Sequence, residues 1–94
     1  TVAVFPLVNK GKLPEKAHKV YEELEQHFDA VYDDTGSIGK RYYRQDEIGT
    51  FLAVTVDEDT LKKDTVTLRS RDTTKQIKVK TSKLVEEIKK LTNL

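Results

Sequence analysis

Ninety-four residues make one domain, too few for two packed cores and enough for a globule with a radius of gyration of about 12 Å. With 36% apolar and 35% charged residues at a net charge of +1, the chain reads as folded, because its apolar residues fall in periodic blocks. The absence of cysteine excludes disulfide scaffolds, zinc fingers and thiol nucleophiles, and no apolar run approaches the roughly 18 residues that suggest a membrane span. A soluble intracellular protein is therefore expected. A chain that starts at Thr1 and has no Met reads as a segment of something longer.

Val2-Ala3-Val4-Phe5-Pro6-Leu7-Val8 is a continuous apolar run, the pattern of a strand covered on both faces. Pro6 cannot donate to a ladder, so it is expected near the strand's end or at a bulge. Pro14 suits a first helical position, and Ala17, Val20, Tyr21, Leu24 and Phe28 predict an amphipathic helix over 14–28. Ala30-Val31-Tyr32 is a short second strand. Ser37 is placed to cap a helix from about Ile38 to Ile48, which closes on Gly49 in a left-handed conformation. Phe51–Val56 is a third, nearly all-apolar strand, and Asp57–Asp64 reads as a polar connection. Thr65–Arg71 and Lys75–Lys80 alternate: Val66, Leu68, Ile77 and Val79 against Thr67, Arg69, Arg71, Gln76, Lys78 and Lys80. Ser82 would cap a last helix that turns Leu84, Val85, Ile88 and Leu91 inward.

The order β-α-β-α-β-β-β-α, with right-handed crossovers joining the first three strands, gives a three-layer α/β/α fold. Its mixed five-stranded sheet has the order 2-1-3-4-5, and the fourth strand is antiparallel. The first two helices then lie on opposite faces. The second shares a side with the polar face of strands 4 and 5, which carries Arg69 and Arg71.

Charge is unevenly spread. Glu15–Asp34 holds two cations against seven anions, and Thr65–Lys83 six against one. Such asymmetry suggests a face addressed to a charged partner, the alternative being two ordinary solvated faces. The second helix places Lys40, Arg41 and Arg44 in its first half and Asp46 and Glu47 in its last turn, against its own dipole at both ends. Lys40 and Arg44 are also a like-charged i, i+4 pair, which Arg44–Glu47 at i, i+3 could partly offset.

Most catalytic signals are missing. His18 and His27 share no partner at ligand spacing, and there is no G-x-S-x-G, P-loop or G-x-G-x-x-G. Asp57-Glu58-Asp59 lacks the glycine and the closing glutamate of a calcium loop. Gly36-Ser37-Ile38-Gly39 matches the G-x-x-G of a loop that clamps a nucleic-acid backbone, a weak signal alone. The arginines and lysines interleaved with Tyr42, Tyr43, Gln45 and Glu47 are stronger, with Arg69, Arg71 and Asp72 across the sheet. Guanidinium and aromatic planes stack on unpaired bases. An arginine beside a carboxylate also matches cytosine, whose edge offers two acceptors and an amino donor.

The run Ser37-Ile38-Gly39-Lys40-Arg41-Tyr42-Tyr43-Arg44-Gln45-Asp46-Glu47-Ile48-Gly49, followed by Val54–Thr60 and Val66–Thr73, closely resembles the C-terminal anticodon-binding domain of glycyl-tRNA synthetase of the class II archaeal and eukaryotic type. Val4–Val8 and Asp33-Asp34 fit as well. The resemblance covers the chain as a single domain, 1–94, expected to be a piece of a longer synthetase. It implies recognition of the tRNA(Gly) anticodon stem-loop, whose last two anticodon letters are both cytosine. Lys40, Arg41, Arg44, Glu47, Arg69, Arg71 and Asp72 are the matching RNA-binding candidates. Tyr43, Glu58 and Phe51-Leu52 depart from the family pattern, which usually has a small or basic residue, Phe and Pro-Phe there. No cofactor or metal is expected in this domain and no catalysis by it. The resemblance implies ATP and magnesium in a separate catalytic domain, a homodimeric full-length enzyme and a cytoplasmic location. The alternative is a non-catalytic interaction or dimerisation module on the same fold, as in polymerase accessory subunits.

Overall fold

A computed structural model describes residues 2–72 and 75–92. Its elements are β1 (Val2–Pro6), α1 (Leu13–Glu25), β2 (Ala30–Tyr32), α2 (Ile38–Glu47), β3 (Leu52–Val56), α3 (Glu58–Lys63), β4 (Thr65–Ser70), β5 (Gln76–Lys80) and α4 (Leu84–Thr92). Thr73, the last residue of the second motif, lies outside the described residues. The sheet order is β2-β1-β3-β4-β5, with β1 parallel to β2 and β3, and β4 antiparallel to both β3 and β5. This is the topology expected from the sequence. Among the described residues no helix is long and apolar enough to cross a membrane.

The two predominantly apolar runs lie in the centre because they are covered on both faces, and every residue of β1 and β3 is buried. Pro6 ends β1, and the chain then leaves the sheet with Leu7 and Val8 exposed, so the apolar run outlasts the strand by two residues. The two faces differ in chemistry. On the α1 and α4 side, Val2, Val4, Leu52, Val54, Val56, Val66 and Leu68 of the sheet join Leu13, Ala17, Val20, Leu24, Leu84 and Ile88 in one large apolar core. On the α2 side the buried apolar cluster is only Ala3, Phe5 and Ala53, with Val31, Ile38 and Tyr42 packed on it.

Several boundaries differ from the sequence reading. α1 stops at Glu25, and Phe28 packs on the core from beyond the helix end. Asp57–Asp64 is not a plain connection but contains α3: Asp57 accepts from the amides of Asp59 and Thr60, and Thr60 Oγ1 accepts from the amide of Asp57, a complete capping box. α4 begins after a single 3-10 turn at Thr81–Lys83, within which Ser82 lies, and Leu91 is exposed. β4 ends at Ser70 and β5 begins at Gln76, which leaves Arg71 in the connection between them.

Asp57 has a second task. The Lys78 ammonium lies 3.1 Å from Asp57 Oδ2 and 3.3 Å from Asp59 Oδ2, tying α3 to β5. Burial alone would lower the Lys78 pKa, but the two carboxylates outweigh it and raise it. Asp57→Ala should therefore lower stability by about 1–2 kcal/mol through loss of the cap, with an unchanged urea m-value. The exposed Glu58→Ala should stay within about 0.5 kcal/mol of the parent, and urea titration of both checks the contrast.

Candidate nucleic-acid interface

The interface is built on α2, which the local sequence starts and stops sharply. Ser37 Oγ accepts from the Lys40 amide at 3.3 Å, and Gly49 at φ +83° ends the helix in a conformation that other residues enter only under strain. Ile38, Arg41, Tyr42 and Gln45 turn toward the sheet, while Lys40, Tyr43, Arg44 and Glu47 turn outward.

Of the seven candidates, Arg41 is corrected by its position. It is 2% exposed, its Nε and Nη2 donate to the Gly36 carbonyl at 3.3 and 3.0 Å, and its Nη1 donates to the Pro6 carbonyl. A guanidinium with those partners inside the fold joins the loop before α2 to the end of β1 and is not presented to a ligand. Arg69 is also largely committed: its two terminal nitrogens lie 3.3 and 3.4 Å from the Asp46 carboxylate, and its guanidinium carbon stands 4.7 Å from the Tyr42 ring centroid. Tyr42 itself packs edge-on against Phe5, and its hydroxyl meets Thr55 Oγ1 at 2.5 Å.

Of the remaining candidates, Lys40, Arg44, Glu47 and Arg71 lie around α2. Lys40 is exposed and flanks Gly36 together with Arg44. Arg44 is half-buried and salt-bridged to Asp33, and Glu47 is exposed in the last turn. Arg71 reaches this surface from the end of β4. A Cβ built on Gly49 would come 3.3 Å from Arg71 Nη1, so the guanidinium lies against the C-terminus of α2. Its Nε and Nη2 also donate to Asp72 Oδ1 at 3.4 Å. The structure therefore sets Lys40, Arg44 and Glu47 on α2 with Arg71 at its C-terminal end, leaves Asp72 beside Arg71 on the α4 side of the sheet, and sets Arg41 and Arg69 beneath the helix as braces.

The dipole conflict seen in the sequence is relieved by tertiary partners. Arg69 and Arg71, both from outside the helix, supply positive charge at the α2 C-terminus, where Asp46 and Glu47 are otherwise unfavourable. Near the N-terminus Asp33 supplies the missing anion. Burial would raise the Asp33 pKa, but the Thr35 amide, the Arg44 guanidinium and the Gln45 amide together hold it below the usual carboxylate value. Gln45 extends this network inward, with its Oε1 accepting from Thr50 Oγ1 at 2.8 Å.

A feature absent from the sequence reading is a cleft of about 240 Å³ at the carboxyl ends of β1 and β3, lined by Leu7, Ile38, Tyr42, Thr55, Asp57 and Thr67. Open α/β sheets bind ligands outside the carboxyl ends of their strands, and here Ile38 and Tyr42 of α2 wall the space beyond those of β1 and β3. The topology was legible, so the cleft could have been inferred from it. A larger groove of about 400 Å³, walled by Phe51, Leu68, Ile77 and Leu91, lies on the α1 and α4 side and is mostly apolar. The histidines join neither site; His18 stacks on Tyr32 at 3.9 Å between ring centroids.

Comparison with known proteins agrees with this architecture. Residues 1–91 match the family model described as an anticodon binding domain. Among curated proteins, a glycine–tRNA ligase from Rhodopirellula baltica is 50% identical over 86 residues, which are 92% of this chain and 16% of that protein. One from Clostridium perfringens is 58% identical over 78 residues, 83% of this chain and 16% of its own. The chain thus spans about a sixth of the length of these curated relatives. Among solved structures, the RNA-binding domain of threonyl-tRNA synthetase from Cryptosporidium parvum superposes with a TM-score of 0.83. That match covers 93% of this chain and 22% of the other at 24% identity, and so speaks for the fold alone.

Two predictions follow from the division between braces and exposed cations. Arg41→Ala should cost about 3 kcal/mol, because it orphans two carbonyls and leaves a void, whereas Lys40→Ala should cost less than about 0.5 kcal/mol; thermal melts separate them. Asp33 has a depressed folded pKa, so its contribution is complete well above its unfolded value of about 3.9 and is lost as pH falls through the lower folded value. Asp33→Asn should lose about 1 kcal/mol at pH 7, a modest figure because the Arg44 side chain is 43% exposed. The difference should shrink in urea titrations carried down toward pH 3.

Proposed function

The chain belongs to the anticodon-binding domain family, and on that premise we propose that it grips the anticodon stem-loop of tRNA(Gly) as one domain of a glycine–tRNA ligase. The observation that carries this reading is that cations from two separate segments flank α2, Lys40 and Arg44 beside Gly36 before its start and Arg71 beside Gly49 after its end. In this reading Lys40 and Arg44 bind phosphates. Arg71 and Asp72 present guanidinium donors beside a carboxylate acceptor, which is the complement of a cytosine edge, and Glu47 offers a second acceptor. Arg41 and Arg69 act as positioning residues, one holding α2 and the other holding Asp46 and Tyr42. The strand-end cleft gives a splayed base somewhere to go.

The rest of the proposal concerns the longer protein. The domain occupies 1–94 of this chain within a synthetase whose catalytic domain, separate from it, binds ATP and magnesium. That enzyme is homodimeric and cytoplasmic. The proposal includes the class II archaeal and eukaryotic type that the central motif resembles; the relatives named above are bacterial, so the label describes sequence architecture rather than source. No catalytic residue is assigned to this domain.

The apolar groove favours a second reading, in which the domain docks on another protein surface: Ile77 and Leu91 are exposed on its walls. The basic face of α2 argues against this as the main role. Titrating labelled tRNA(Gly) anticodon stem-loop against one with its two cytosines replaced should give at least about tenfold tighter binding of the former. Equal affinities would overturn the readout. Arg71→Ala should narrow the gap, whereas Lys40→Ala should weaken both RNAs alike and flatten the salt slope by about 0.7.

A further inference from the structure

Tyr43 is 65% exposed, unlike its neighbour Tyr42, whose ring is used on Phe5 and Arg69 and whose hydroxyl is used on Thr55. At about 100° per residue, α2 sets Tyr43 between two surfaces. On one side runs the exposed stripe of Lys40, Arg44 and Glu47. On the other lie Tyr42, which lines the strand-end cleft, and Asp46, which is held by Arg69. A nucleotide chain passing from the cations to the cleft therefore crosses Tyr43.

The ground beside it is open. Long side chains on a helix lean over the turn N-terminal to their own Cα, and one turn before Tyr43 stands Gly39, where an added Cβ would meet nothing within 4 Å. A single exposed apolar side chain is ordinary. An aromatic ring flanked by lysine, arginine and a side-chain-free ledge has the composition of a surface for single-stranded nucleic acid, where rings stack on bases and cations hold the backbone.

We propose that Tyr43 is a stacking platform for an unpaired nucleotide of the anticodon loop at the lip of the cleft, a contact that rests on the RNA-binding reading above. Stacking is tolerant of base identity because every base has a π face. Tyr43 therefore adds affinity without choosing the base, and the choice is left to Arg71 and Asp72.

The test uses the chain with the tRNA(Gly) anticodon stem-loop and the same stem-loop with its cytosines replaced. Tyr43→Ala should weaken binding of both by a similar factor of about ten, and Tyr43→Phe should bind like the parent, since the ring and not the hydroxyl is used. With 2-aminopurine at each unpaired loop position in turn, one position should be quenched by the parent and not by Tyr43→Ala. Parent-like affinity of Tyr43→Ala, or a Tyr43→Phe loss equal to that of alanine, would overturn the stacking role and leave the anticodon reading standing. Absence of stem-loop binding by the parent would overturn both.

Discussion

The placement of α2 depends on one buried guanidinium. The apolar cluster under this helix is small, Ala3, Phe5 and Ala53 with three partly buried neighbours, so hydrophobic burial alone holds it weakly. Arg41 compensates by reaching through the layer to the Pro6 carbonyl at the end of β1 while holding the Gly36 carbonyl in the loop that precedes the helix. Tyr42 to Thr55 and Gln45 to Thr50 complete a docking surface made largely of hydrogen bonds. Polar contacts are directional where apolar ones are not, and they fix the rotation of the helix about its axis as well as its distance from the sheet. The rotation decides which of Lys40, Tyr43, Arg44 and Glu47 look outward.

Charge on this surface is divided by depth. Arg41 and Arg69 are enclosed and partnered, so added salt screens them little, whereas Lys40 and the outer parts of Arg44 and Arg71 lie where counterions collect. The same residue types thus serve two purposes within a few ångströms. Asp46 keeps the Arg69 brace electrically quiet and Asp33 offsets part of Arg44, and the net positive field that remains comes from the outermost groups. A domain near neutrality overall can in this way show a polyanion one locally basic face.

Much of the architecture was legible because its signals are periodic. The predominantly apolar runs marked β1 and β3 as central, the alternation at 65–71 and 75–80 marked the hairpin, and crossover handedness then left one strand order. What escaped was short or polar. α3 has six residues, too few for a helical period, and its trace was the Asp57-x-x-Thr60 capping pair. Arg41 was misjudged because composition cannot tell a buried arginine from an exposed one. Its position could: it lies three residues after Ile38 and four before Gln45, on the face that must meet the sheet. The departure at Tyr43 was visible in the sequence, but its exposure needed the helix rotation that Arg41 sets.

The two margins of the sheet are guarded differently. β2 is only three residues long, too brief to template another strand, while β5 pairs with β4 along one side and ends in the exposed Lys80. A lysine on an outer strand makes its approach by a second chain electrostatically unfavourable. Crowded copies of this domain should consequently resist fusing their sheets into a continuous ribbon.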